Sequence, residues 1–435
     1  LTADVFTGRG PAAAAWPQAG ADAGAATDRL LRALLCVFVA TLVIEGPLRW
    51  AAALSGWPNL LYLRDAIPAG SIAVLVLRSL VVHRWLELPV LVGVSVLAAH
   101  ALVGVMLGLS VFQVALGFKS VLYVLYGLAM WPLLHDRWPA VLRAAAVVYA
   151  VTLAGLAANF AVGPLPWEGM EYDTAFGAVP TTWKWWMAGG IPRLPGLARA
   201  SFNAAMILGV SGVLVLVWLR RPWLRLAVAL LTFAGILLTT SKGMLLAFPI
   251  AAAWLIVRGG AAHARLGRWL VLGLCGFGLV LPLAVVLLNL GGGAPQEWPD
   301  VILSAWERFS QVWPGAFELL PSGVAGLLGA GLGSIGTPQL FGFHPHLFNP
   351  GDSLAVYLLV SFGIAGALYY VLPALALHRT LAGADDAIAR ACVGLMVLAY
   401  GYGLSISMVE ETFFATTLGF ALGVLLRARS PRAAA

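Results

Sequence analysis

Twelve long apolar stretches set the limits on what this chain can fold into. They run over 30–46, 66–82, 88–108, 112–134, 140–162, 201–219, 223–239, 243–258, 269–290, 354–377, 389–409 and 412–426. A helix that crosses a bilayer needs about 20 mostly apolar residues. In lipid the backbone must satisfy its own hydrogen bonds, so only helices and closed barrels cross. Continuous apolar runs of this length point to helices, because barrel strands read as ~10-residue alternating segments. An all-α polytopic membrane protein with about 12 transmembrane helices is therefore expected. The chain is 61% hydrophobic and 10% charged, far from the about 45–50% and about 25% of soluble domains.

The charges orient the spans. With the N-terminus placed in the cytoplasm, every second connection is basic: Arg29 and Arg32; Arg84; Arg137 and Arg143; Arg220, Arg221 and Arg225; Arg258, Arg265 and Arg268; Arg379 and Arg390; Arg427, Arg429 and Arg432. That is the positive-inside pattern, and it predicts both termini in the cytoplasm. It also accounts for the net charge of +7, so no nucleic-acid partner is expected. Residues 1–28, rich in Ala and Gly, read as a flexible tail and not as a cleavable leader. Residues 29–426 form one transmembrane domain, with outward loops at 163–200 and 291–353, and 427–435 form a cytoplasmic tail. Cys36, Cys275 and Cys392 each lie inside an apolar span, as packing residues without metal-ligand spacing.

Cations on the outward side run against this bias. They are Arg49, Arg64, Lys119, Lys184, Arg193, Arg199, Lys242 and Arg308. A charge at bilayer depth costs at least ~2.5–3.5 kcal/mol on insertion scales, so function is the default explanation. Snorkelling or pairing, as of Arg64 with Asp65, is the alternative for any one of them.

Most of the remaining chemistry falls between Arg308 and Gly366. Arg308 sits in W-E-R-F-S-Q-V-W, where a guanidinium suits phosphate oxygens; an amphipathic helix on the membrane plane is the other reading. L-L-G-A-G-L-G-S-I-G, residues 327–336, lacks the βαβ setting of a dinucleotide loop and reads as close backbone packing. H-P-H-L-F-N-P-G-D-S offers His344, His346 and Asp352 as proton acceptors; Asp352 also suits a helix N-cap. Lys242, in T-T-S-K-G-M-L-L, opens a span where an anion would be favoured. The outward loop 166–199 carries Glu168, Glu171, Tyr172, Trp183 and Trp186, with Arg193 and Arg199 behind them. Rings and carboxylates suit sugars; an interfacial aromatic belt is the equal alternative.

In order, these residues carry a resemblance. S-K-G-x-x-L, a lone arginine in a long late loop, G-x-G-x-G, and then Asp352, Ser353, Gly363 and Gly366 in D-S-x9-G-x-x-G resemble the O-antigen ligase and Wzy-type polysaccharide polymerase superfamily. E-G-P-L-R at 45–49 and L-R-D at 63–65 resemble the early part of its polymerase branch. The resemblance implies a metal-independent, cofactor-free, inverting glycosyltransferase of the bacterial inner membrane, with its active site facing the periplasm. Its donor would be a polyprenyl-diphosphate-linked oligosaccharide and its acceptor a second glycan, with a flippase and a chain-length regulator as partners. Arg308 and Lys242, supported by Arg64, Arg193 and Arg199, would hold the diphosphate. The chain departs from the family pattern twice: Lys242 stands for an arginine in R-x3-L, and Asp352 for the histidine of H-N-x9-G. Either Asp352 or one of His344 and His346 would then be the base. A ligase that transfers glycan to lipid A-core or protein is the first alternative, and a non-enzymatic transporter the second.

Overall fold

The computed structural model describes residues 19–82, 88–170, 172–174, 177–179, 187–188, 190–257, 260–291, 300–381 and 386–427. A helix coincides with each apolar stretch: α1 (Ala19–Val43), α3 (Tyr62–Val82), α4 (Leu88–Met106), α5 (Val111–His135), α6 (Trp138–Val162), α7 (Ser201–Trp218), α8 (Pro222–Thr239), α9 (Lys242–Ile256), α10 (Ala261–Leu287), α13 (Leu354–Thr380), α14 (Ala387–Tyr402) and α15 (Thr412–Arg427). Between them lie the short helices α2 (Glu45–Leu54), α11 (Asp300–Glu307) and α12 (Trp313–Phe317). Among the described residues, seven helices are long and apolar enough to cross a membrane, or eight if the bent pair α1–α2 counts as one; α9, α14 and α15 are shorter apolar helices. The chain is thus an all-α polytopic membrane protein. Two antiparallel hairpins add four short strands, Tyr172–Thr174 with Gly177–Val179 and Met187–Ala188 with Ile191–Pro192.

Helix α7 is the hub. It is apolar all round, and 78% of its span is buried, against 17% for α4 at the periphery. A helix hydrophobic on every face belongs inside a bundle. The outer helices instead expose Leu, Val and Phe side chains, such as Leu102, Val147, Leu230 and Phe277, as lipid contact allows. Small residues set the closest approach. On α5, a Cβ at Gly127 would overlap the Thr416 carbonyl of α15, and one at Gly419 the Val124 carbonyl of α5. Backbones draw together in lipid where such small residues face each other.

The ends of the bundle differ in chemistry. At one end arginines cap helix C-termini. Arg225 donates to Leu219 O at 2.9 and 2.8 Å and to Leu255 O at 3.1 Å, and Arg268 to Leu381 O at 2.9 Å. These bonds satisfy orphan carbonyls and set positive charge against the negative end of the dipole. At the other end the loops knit together: Gly46 N donates to Leu197 O, Leu194 N to Leu238 O and Leu354 N to Gly403 O. Helix α1 already begins at Ala19, inside the segment expected to be tail, and turns by 81° into α2.

Candidate functional site

Arg308 opens a π-helical turn, Arg308–Val312, set between α11 and α12. Single π-turns widen a helix locally and recur at functional sites. Trp313, 1% exposed, anchors the rod in the core, its ring 5.0 Å from that of Phe309. The Arg308 guanidinium donates to Ser304 O at 2.8 Å, to Ser304 Oγ at 3.0 Å and to Ser405 O at 3.2 Å. Its Nη2 also lies 3.0 Å from Asp352 Oδ2. Two residues singled out from the sequence are therefore an ion pair.

Asp352 is not the N-cap of α13. Ser353 takes that place, without a side-chain cap bond, and the Asp352 carboxylate is turned to Arg308 instead. Asn349 builds the turn that aims it. Its Oδ1 accepts from Gly351 N at 2.8 Å, its Nδ2 donates to Val312 O at 2.8 Å, and its backbone O accepts from Gly336 N at 2.9 Å. One buried amide thus ties the arginine's π-turn to the aspartate's loop.

The glycine-rich segment works by close approach, as the sequence implied. Gly331 and Gly333, at φ of +90° and +93°, lie against the backbones of Gly104 in α4 and Gln113 in α5. Gly329, at +84°, meets the break in α13 at Gly363.

Lys242 is the first residue of α9 and half-buried. Ser241 before it shares a 3.0 Å hydrogen bond with the Tyr402 hydroxyl. Ser241, next to Lys242, and Arg308, through Ser405 O, thus both meet the chain at the end of α14. Several further cations sit against carboxylates, as Arg308 does. Arg64 lies 3.1 Å from both Glu45 and Asp65, Arg49 lies 2.6 Å from Glu45, Lys119 lies 2.6 Å from Asp65, and Arg199 lies 3.9 Å from Glu411. Arg64 is thus committed to structural pairs, which is the pairing alternative weighed above.

His344 and His346 are exposed, with ring centroids 5.7 Å apart. No described contact joins either ring to Arg308 or Asp352. Glu168 is likewise structural: its Oε1 accepts from Leu165 N at 2.8 Å and from Asn159 Nδ2 at 2.7 Å. Tyr172 lies on a hairpin strand. Glu171, Trp183, Lys184 and Trp186 lie outside the described residues.

Glu410 and Glu411 complete the site, and sequence reasoning passed over them. They end the link between α14 and α15. Glu410 Oε1 accepts from Thr337 N at 2.8 Å, and its carboxylate lies against Gly336. Burial pushes its carboxyl up to about 8, with the charges of Glu411 and Asp352 adding to the shift. Burial raises Glu411 as well, opposed by Arg199 and by a hydrogen bond from Asn203. The available signal was a pair of carboxylates in the gap between two apolar runs.

A guanidinium fork beside a carboxylate can stabilise an anionic leaving group and accept a proton in the same step. No family model, curated protein or solved structure matches this chain.

Proposed function

We propose that the chain is a polysaccharide polymerase of the bacterial inner membrane, of the Wzy type. In this reading twelve helices cross the membrane, both termini are cytoplasmic, and the Arg308–Asp352 end faces the periplasm. The donor is a polyprenyl-diphosphate-linked oligosaccharide delivered by a flippase, and a chain-length regulator acts with the enzyme. The hydroxyl of the acceptor glycan attacks the anomeric carbon of the donor. The bond from that carbon to the diphosphate oxygen breaks, polyprenyl diphosphate leaves with the electron pair, and the hydroxyl proton passes to Asp352. Arg308 and Lys242, with Arg193 and Arg199 behind them, stabilise the charge that develops on the leaving group. A preorganised donor of this kind contributes about 10²–10³ in rate, and a positioned base about 10²–10⁴.

The observation that carries this reading is the 3.0 Å pair of Arg308 and Asp352 at one end of the bundle. Deletion of the gene, with complementation, tests it. Loss of full-length surface polysaccharide is expected, restored by the wild-type chain but not by Arg308→Ala or Asp352→Ala inserted at wild-type level. Full-length polymer in the deletion strain sinks the reading. Normal polymer from Asp352→Ala moves the base to His344 or His346.

A further inference from the structure

A cavity of about 260 Å³ opens beside this site and plays no part in the chemistry above. It lies between the α4–α5 turn, the glycine-rich segment and the loop that carries His344. Leu107, Leu319, Phe343 and Leu347 give it apolar walls; Gln113, Ser334 and Gln339 give it polar ones, with His344 also on the lining. Both glutamines are buried and held in place. Gln113 donates to Gly333 O at 2.9 Å; Gln339 donates to Leu347 O at 3.2 Å and accepts from Asn349 N at 2.8 Å. Ser334 is 5% exposed, and its Oγ has no hydrogen-bond partner. A buried hydroxyl without a partner is costly, so such groups in native proteins find a partner in solvent or ligand.

The place of the cavity matters as much as its lining. Gln339 and the Asp352 turn are held by the same residue, Asn349. The short 3₁₀ turn that carries Gln339 also carries Thr337, whose N–H binds Glu410. A ligand seated against Gln339 is therefore one residue, Asn349, removed from the turn that carries Asp352. The volume is below the ~300–1,000 Å³ of pockets for drug-sized ligands, a scale that suits a single ring and its substituents. An alkyl or isoprenoid chain would leave the Ser334 hydroxyl and the imidazole of His344 unmatched. A sugar ring matches both kinds of wall, with hydroxyls for Ser334 and His344 and an apolar C–H face for Phe343.

We propose that this cavity is a saccharide subsite that seats one sugar unit of the glycan next to the bond being made. The assignment rests on the glycosyl-transfer reading for its place in a reaction, but its binding can be measured separately. The experiment is saturation-transfer NMR on the full chain in detergent-free nanodiscs. The probes are the methyl glycosides of glucose, galactose, mannose and N-acetylglucosamine, with farnesyl phosphate as the lipid probe. At least one glycoside should receive saturation. Ser334→Ala should weaken it on the order of fivefold, the loss of one hydrogen bond, and Ala330→Leu should fill the cavity and remove it. Should Ala330→Leu fail to reach the membrane, Phe343→Ala, at an exposed wall, should also weaken binding. No saturation of any glycoside, or equal affinity in wild type and Ser334→Ala, overturns the subsite. Farnesyl phosphate lost on cavity filling while no glycoside responds makes it a lipid pocket and overturns it too. Glycoside binding that behaves as expected, in a strain whose polymer survives gene deletion, leaves the subsite standing while the polymerase reading fails.

Discussion

Asp352 has a φ of +28°, and Thr240, two residues before Lys242, has a φ of +52°. Among the described residues only Asn289 joins them as a non-glycine at positive φ. Such backbone costs of order 1–3 kcal/mol and persists where surrounding structure over-determines it, commonly at functional sites. Here the Asn349 bonds and the pull of Arg308 hold Asp352 in place. Arg308 itself directs its two terminal nitrogens to three residues, a geometry a lysine cannot reproduce. Arg308→Lys should therefore keep the charge yet cut polymer yield at least about tenfold, measured by complementation at matched protein level. Glu410 makes a separate prediction. Its carboxyl is raised to about 8, so the folded state holds a proton that the unfolded chain releases near the ordinary carboxylate value. Stability from this group is present at low pH and falls as pH rises through that ordinary value toward about 8. Thermal midpoints should drop from pH 5 to pH 9 in wild type and drop less in Glu410→Gln; parallel curves would refute the assignment. Arg308 and Asp352 were legible in the sequence because charge is rare in this chain. Glu410 and Glu411 were not, since two carboxylates between apolar runs pass for a bare turn. Asn349 stands out in H-P-H-L-F-N-P-G-D-S, but its role does not, because an asparagine beside Pro and Gly looks like ordinary turn chemistry.

At the scale of elements, hydropathy locates a helix but is blind to its direction. The run 30–46 continues through the point where α1 turns by 81° into α2, and nothing apolar marks the bend. The bend matters because it puts Glu45, with its partners Arg49 and Arg64, at the N-terminus of α2. The break in α13 was half legible. Gly363 sits in G-x-x-G, and its φ of +58° with ψ of −132° is open only to glycine. Its space is also taken, since a Cβ there would overlap the Leu327 carbonyl at the head of the glycine-rich segment. The contact of α5 with α15 rests on the same kind of fit and can be tested away from the site. Gly127→Ala should cost about 1–3 kcal/mol from overpacking against α15. Gly273→Ala, on α10 where a Cβ meets nothing within 4 Å, should be neutral or slightly stabilising. Thermal unfolding in nanodiscs compares the two; equal effects would mean that α5 and α15 are not held by this contact.

Over the whole molecule, charge is sorted between the two ends. The links that follow α1, α4, α6, α8, α10 and α14 come together at one end and carry Glu45, Arg49, Arg64, Arg193, Arg199, Lys242, Arg308, Asp352, Glu410 and Glu411. Attractions run along this end from Lys119 through Asp65, Arg64 and Glu45 to Arg199 and Glu411. The opposite end holds Arg32, Arg225 and Arg268, whose donors go to backbone carbonyls. The sorting fixes which end must face outward if the donor is made in the cytoplasm and used after export. In a variant with Cys36, Cys275 and Cys392 replaced, a cysteine at exposed Ser55 reports one end and a cysteine at exposed Asp136 the other. In intact spheroplasts a membrane-impermeant maleimide should label Ser55→Cys, and should reach Asp136→Cys only after permeabilisation. Strong labelling of Asp136→Cys with none at Ser55→Cys would put Arg308 and Asp352 on the cytoplasmic side. Transfer from an exported glycan would then be excluded, because the paired residues and the donor would lie across the membrane from each other.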